Sequence, residues 1–532
     1  MAKNIIPCIS IISPTQKELI DNWTNNNTKI HHAVDFLTNE FNIQITSDPD
    51  VVKGFERDYS NIPGNAELLC RPKNEMECAL ILYYCHHARI PLTIAAGRTN
   101  LNGSATPNGG MVMSIEKMTH PDPKLDISTQ RINTPVGIYL EDMRSAALNQ
   151  SQNKLYFPVD PTSRREAMVG GTISCNASGF VPGKAGAMRY WTESLDFLTP
   201  DGHKITCNRG QYISKDAKFI MDFPHGSLNW EVPNYPRPEI KNASGPYSDE
   251  NGTLDLVDFL VGSEGIFGLI TAATFRLKEK PDDYLNLFFS LPSEQDAVHF
   301  HKFMSDYFKG DLSQLTALEY FGYNCQNYMD HKTELFQSKS EVGIYLQFPL
   351  YDQKIEDVAE DWMEILQKSK CGIKEDCIIL LNNPTDWQTF FEARHSIPVN
   401  ALEKTHRLDT WSILTDTIVP PENFQKFLNT AHNLLQQSEI EYLLFGHLGD
   451  CHLHFHLIPT REQQPRALDI YNNIVQESTQ LGGVYSAEHG TGKRKRNDFY
   501  ECFGDKGVQQ VRKAKTALDP NFLLNQGNVI AL

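Results

Sequence analysis

Residues 95–110 read AAGRTNLNGSATPNGG, glycine and small polar residues packed directly behind a strand-like run from Ile90 to Ala95. Such a loop lets successive backbone N–H groups converge on one anion, because glycine tolerates the positive φ and the close approach that a cradle needs. A pyrophosphate is the natural guest. Alone, the segment would read as an ordinary turn cluster. Two more follow: MVGGTISCNASGFVPGKAG from Met168 to Gly186, behind the turn-like Val159-Asp160-Pro161-Thr162-Ser163, and GSEGIFG from Gly262 to Gly268, before Leu269-Ile270-Thr271. Three such loops in one stretch of chain favour a phosphate-bearing cofactor. None matches GxGxxG at a strand-to-helix turn, and HGTGKRK, residues 489–495, lacks the first glycine and the Ser/Thr of a P-loop. Rossmann NAD and Walker ATP sites are therefore disfavoured.

Around these loops, helices alternate with short strands. Asn74 followed by Glu77 forms a capping pattern, and Met76, Ala79, Leu80 and Tyr83 recur at helical spacing, which predicts a helix ending near Ala88. Met111 to Ile115 reads as a further strand. These features define a first domain over residues 61–280, preceded by a polar, asparagine-rich preface over 1–60. From Pro281 glycine becomes sparse, and amphipathic segments at Ile355 to Lys368, Pro421 to Gln437 and Pro465 to Gln480 mark a second α+β domain over 281–510. Residues 511–532 carry a short helix before Asp519-Pro520, then LLNQGNVI, expected to return to the first domain. A chain of 532 residues is too long for one ordinary core, and a cleft between domains is the expected location of the site.

With 66 acidic against 49 basic residues, a formal charge of -17, the chain offers no extended surface for DNA or RNA. No apolar run approaches a membrane span, and the N-terminus has no signal-peptide pattern. The 11 cysteines never form CxxC, which removes the common iron–sulfur and zinc-ribbon spacings and fits reduced cytoplasmic thiols.

The other informative stretch is EYLLFGHLGDCHLHFHLIP, residues 441–459, two apolar strands around a turn at Gly449-Asp450. Side chains alternate along a strand, so Leu453, Phe455 and Leu457 point one way and His452, His454 and His456 the other. Folding back brings His447 opposite that row. A lone histidine on such a face is usually a satisfied polar residue; several in ten residues favour a shared metal. VYSAEHGTG, residues 484–492, adds Glu488 and His489 before a glycine turn. Two histidines and one carboxylate make a metal set with open positions for substrate. Zinc suits it, and so do manganese and ferrous iron. From the residues alone two readings stand: a cofactor-dependent enzyme with a metal, or a metal-dependent hydrolase in which the glycine loops are only turns.

The order and content of the loops resemble the FAD-binding domain of the vanillyl-alcohol oxidase (PCMH-type) flavoproteins, and GHLGDCHLH and AEHGTG resemble the GHxGDGNxH and AEHGxG of their D-lactate, glycolate and D-2-hydroxyglutarate dehydrogenase branch. The likeness runs from about Leu68 to Val529. It implies an α+β fold: a two-subdomain FAD-binding domain plus a C-terminal cap domain with an antiparallel sheet flanked by helices. It implies non-covalent FAD, with Ala96, Gly97, Arg98, Thr99, Asn100 and Gly103 of the first loop, and Gly170, Gly171, Asn176, Ser178, Gly179 and Gly186 of the second, around the pyrophosphate. Asp160, Pro161 and Ser163 flank the cofactor, Glu264, Gly265, Gly268 and Ile270 lie beside it, and Asn525 reaches the flavin. His447, His454 and Glu488 become the metal ligands, His489 the base, and Arg394 in FFEARHSIP the carboxylate-binding residue. His452 and Cys451 replace the branch's Asn and Gly, which puts His452 beside substrate. Arg98 takes a usual glycine position, from which a guanidinium can pair with phosphate. Leu414 stands where hydroxyglutarate-oxidising relatives have lysine, and so favours a shorter acid. The resemblance implies oxidation of a D-2-hydroxy acid, best matched by D-lactate, with D-2-hydroxyglutarate or glycolate as the alternative, and with electrons passing to a quinone, cytochrome or electron-transfer protein. Homodimerisation and peripheral contact with an inner membrane stay open.

Overall fold

The helix expected after Asn74 forms at Glu75–Ala88, with the Asn74 side chain accepting from Glu77 N–H and Arg89 closing it in the left-handed region. Its Cys78–Cys85 stretch is buried on all sides, and only Met76 of the predicted apolar face stays exposed. A helix enclosed this way belongs inside a layered core. The structure is a computed structural model that describes residues 3–27 and 29–531.

Among the described residues, the first domain contains two principal sheets. A small one runs in the order Ile45–Thr46, Leu68–Cys70, Met111–Ser114, Leu92–Ala95, parallel over its last three strands. The other is an antiparallel sheet of six strands whose centre is Thr192–Leu198 paired with Leu269–Arg276. One hydrophobic cluster joins both, from Leu68 and Met111 to Phe197 and Phe275. The N-terminal segment, expected as a preface, is instead part of this unit. Ile5–Pro7 pairs with Lys218–Phe223, the Pro14–Asn26 helix contacts Glu75–Ala88, and Ile6, Ile12 and Ile20 lie in the same cluster. The C-terminus returns there as well: Leu92 N–H donates to the Leu523 carbonyl, and Asn525 N–H to that of Leu92.

The second domain is a seven-stranded antiparallel sheet with Ala317–Phe321 in the middle, between Val342–Leu350 and Glu441–His447. Helices Glu294–Tyr307, Ile355–Lys368, Phe424–Ser438 and Gln464–Gln480 cover it. Three of these match amphipathic segments read from the sequence. The 24-residue helix Pro384–Arg407 was not read from the sequence: it runs on through Pro398, and its buried face is largely small or polar, Ala393, Ser396, Ala401 and Thr405 beside Phe390 and Ile397. The last helix is longer than expected, Arg496–Leu518, bent at Gly504, where φ is 62°.

Candidate active site

Glu441–His447 and His452–Ile458 pair antiparallel around a turn at Leu448–Asp450, with His447 directly opposite His452. Leu453, Phe455 and Leu457 enter the core of the second domain. The alternation therefore holds, and the imidazoles of His447, His452 and His454 gather on the other face, ring centroids 4.4–6.1 Å apart.

Glu488 closes the cluster. Its Oε2 lies 3.4 Å from His447 Nε2, and its Oε1 is 3.3 Å from His454 Nε2 and 3.4 Å from His489 Nε2. The opposite nitrogens are held in turn: His447 Nδ1 lies 2.7 Å from Glu319 Oε1, and His454 Nδ1 2.9 Å from the Thr415 carbonyl. Fixing Nδ1 aims Nε2 at the centre, the usual second-layer support of a metal-binding histidine. The donor set fits a divalent ion. Burial would depress the His447 pKa, but the Glu319 and Glu488 carboxylates overcome it and raise it to about 10. Burial likewise opposes ionisation of Glu488, yet the His447 and His454 side chains hold its carboxyl well below the usual range.

Two buried carboxylates, one from each domain, grip the loop that carries Glu488 and His489. Asp416 accepts from Ser486 Oγ (2.6 Å), His489 N–H (3.0 Å) and Lys495 Nζ (2.7 Å), and its Oδ2 is 3.5 Å from His489 Nδ1. Glu264 accepts from the N–H groups of Thr491 and Gly492, at 2.6 and 2.7 Å, and from Ser104 Oγ. Burial, outweighing Asp416 and Glu488, lowers the His489 pKa, so its ring is neutral at neutral pH.

The cluster opens into a cavity of about 690 Å³ between the domains, within the usual range of about 300–1,000 Å³ for ligand sites. Of the cofactor-loop residues named from sequence, Ala96, Gly97, Arg98, Thr99, Asn100, Asp160, Pro161, Ser163, Gly170, Gly171, Ser178, Gly179, Glu264, Gly265, Ile270 and Asn525 line it, as do Arg394, His447, His454, Glu488 and His489. The loops lie close because their glycines allow it: a Cβ on Gly97 would sit 2.2 Å from the Glu166 carbonyl, and one on Gly179 2.4 Å from Asp160 Oδ1. Ser178 Oγ reaches Glu488 Oε2 at 3.4 Å, linking a cofactor loop to the histidine cluster. Such a cradle suits FAD.

Five expected residues do not line the cavity. Gly103, Gly186 and Gly268 are tight packing points against Ile62, the Val181 carbonyl and Phe197 respectively. Asn176 braces the backbone, accepting from Arg189 N–H and donating to the Asn242 carbonyl. His452 is wholly buried, with Nε2 3.2 Å from Asp416 Oδ1. Arg98 lines the cavity, with its guanidinium stacked 4.2 Å from the Phe55 ring centroid and donating to the Gly54 carbonyl. Arg394 packs over Phe180, 4.8 Å from its centroid, with Glu319 at 3.8 Å. Glu319, Asp416 and Lys241, the buried partner of Asp450, escaped sequence reading, since each is a single charged residue with no motif of its own.

A family model described as FAD binding domain matches residues 66–208, and one described as FAD linked oxidases, C-terminal domain, matches 288–529. The chain is 27% identical over 466 residues to a D-lactate dehydrogenase of Archaeoglobus fulgidus, covering 87% of this chain and 91% of that one. It is 25% identical to glycolate oxidase subunit GlcD of Bacillus subtilis (89% and 90% covered) and 22% identical to mitochondrial D-2-hydroxyglutarate dehydrogenase of Danio rerio (90% and 81%). Among solved structures it resembles p-cresol methylhydroxylase with a TM-score of 0.66 at 12% identity, covering 98% of this chain and 99% of that one. It also resembles alkyldihydroxyacetonephosphate synthase, with a TM-score of 0.60 at 15% identity, covering 91% and 82%.

Proposed function

The chain belongs to the FAD-linked oxidases built from a PCMH-type FAD-binding domain and a C-terminal cap, and from that premise we propose that it dehydrogenates a D-2-hydroxy acid, best matched by D-lactate, to the 2-oxo acid. The observation that carries this reading is the convergence of His447, His454, Glu488 and His489 on the cavity that the glycine loops line. FAD, when bound by those loops, supplies the hydride acceptor. A divalent metal held by His447, His454 and Glu488 would supply Lewis acidity toward the substrate oxygens, zinc fitting the donors, with manganese or ferrous iron as alternatives.

The remaining work belongs to side chains. Arg394 pairs with the substrate carboxylate, its guanidinium braced by Phe180 and Glu319. His489, neutral and with Nδ1 turned to Asp416, accepts the hydroxyl proton at Nε2. The Cα hydrogen leaves with its electron pair as the carbonyl forms. Leu414 contributes an apolar wall to the cavity, so a second carboxylate would find no partner there, which favours a short monoacid. Electrons then pass to a separate quinone, cytochrome or electron-transfer protein. No described helix is long and apolar enough to cross a membrane.

The test is anaerobic bleaching of the FAD-loaded protein by D- and L-lactate, glycolate and D-2-hydroxyglutarate, with and without a chelator. D-lactate is expected to bleach fastest and the chelator to slow it. An FAD-loaded protein bleached by no hydroxy acid would sink the proposal.

A further inference from the structure

His452 is the imidazole that the proposed function leaves unused. It lies on the same face of the hairpin as His447, its cross-strand partner, and as His454. Its ring centroid is 5.5 Å from that of His447 and 4.4 Å from that of His454. One ligand atom from each of His447, His452, His454 and Glu488 falls within 4.8 Å of all the others. The side chain is fully buried; Nε2 faces Asp416 Oδ1 at 3.2 Å, and Nδ1 has no hydrogen-bond partner. A buried polar group without a partner calls for one, and a metal ion among these four residues would provide it.

We propose that His452 is a further metal ligand, so that this chain holds its divalent ion with three imidazoles and one carboxylate. The proposal rests on the reading of His447, His454 and Glu488 as a metal site and extends it. Its consequence is selectivity. A nitrogen-rich set favours zinc and cobalt over manganese more strongly than two imidazoles and a carboxylate do, because manganese prefers oxygen donors. Asp416, 3.2 Å from His452 Nε2, stands as the carboxylate that orients this ring, as Glu319 does for His447.

The experiment uses the full chain, stripped of metal and reloaded with FAD, titrated with Co²⁺ and with Mn²⁺ for the wild type, His452→Asn and Glu488→Gln. Affinity, stoichiometry and the visible Co²⁺ bands are read, and X-ray absorption counts the imidazoles around Co²⁺ in the wild type. We expect three imidazoles in the wild type. His452→Asn should still bind one Co²⁺, but about 10–100-fold more weakly, with altered bands and a smaller change for Mn²⁺. A count of two imidazoles overturns the inference even if the variant fails to fold. So does a folded His452→Asn with unchanged affinity and bands. A wild type that binds no Co²⁺, or a Glu488→Gln that binds it equally well, overturns the metal reading itself and this inference with it.

Discussion

His489 suits a base because burial keeps its ring neutral while Asp416 fixes the Nδ1 side. His489→Gln should lower the rate of flavin reduction by about 10²–10⁴-fold while leaving the absorbance of bound FAD intact; stopped-flow bleaching measures it, and a wild-type rate would remove His489 from the mechanism. Arg98 carries the opposite expectation. Its guanidinium is stacked on Phe55, so Arg98→Ala should change FAD affinity by no more than about 0.5 kcal/mol, and a larger loss in a titration would restore a phosphate role. At this scale the sequence was legible where residues crowd into a motif. His447, His454 and Glu488 announced themselves through strand alternation and the AEHG turn, whereas Asp416 arrives from 70 residues before its partner Ser486 and carries no local signal.

Elements followed from sequence where pattern and capping agreed, as at Asn74 and at the amphipathic helix Ile355–Lys368. They escaped where a helix runs on through a proline that usually ends one, as at Pro398. The turn between Thr192–Leu198 and His203–Asn208 shows how a short element ties stability to pH. Burial would raise the pKa of Asp201, but His203, 3.0 Å away, and Thr199 hold it at about 2. A carboxyl depressed in the folded state stabilises above its unfolded pKa and loses that contribution as pH falls through the folded value. Asp201→Asn should therefore cost about 1–2 kcal/mol at neutral pH, and its stability should change less than that of the wild type between about pH 4 and pH 2. Denaturant unfolding across that window checks both statements.

The whole molecule depends on contacts between its two domains. Lys241 of the first pairs with Asp450 of the second, both nearly inaccessible, and Asp450 Oδ1 also accepts from Gly183 N–H at 2.6 Å. Lys241→Met strands a buried carboxylate and should cost about 3–5 kcal/mol. Adding Asp450→Asn, which keeps an acceptor for Gly183, should recover most of it; thermal unfolding of both variants, with no recovery in the double, would refute a specific pairing. The sequence by itself determined the phosphate-cradling glycine loops, the histidine hairpin and the mixed two-domain character, because each is written in local spacing of period two or 3.6 and in glycine-rich turns. Only the tertiary structure decided that the N-terminal segment is core, that the Arg98 guanidinium stacks on Phe55, and that Asp416 and Glu264 hold the loop of Glu488 and His489 from opposite domains. Those outcomes rest on which distant segments share a buried space, and the desolvation that makes a single buried carboxylate matter exists only once the chain has closed around it.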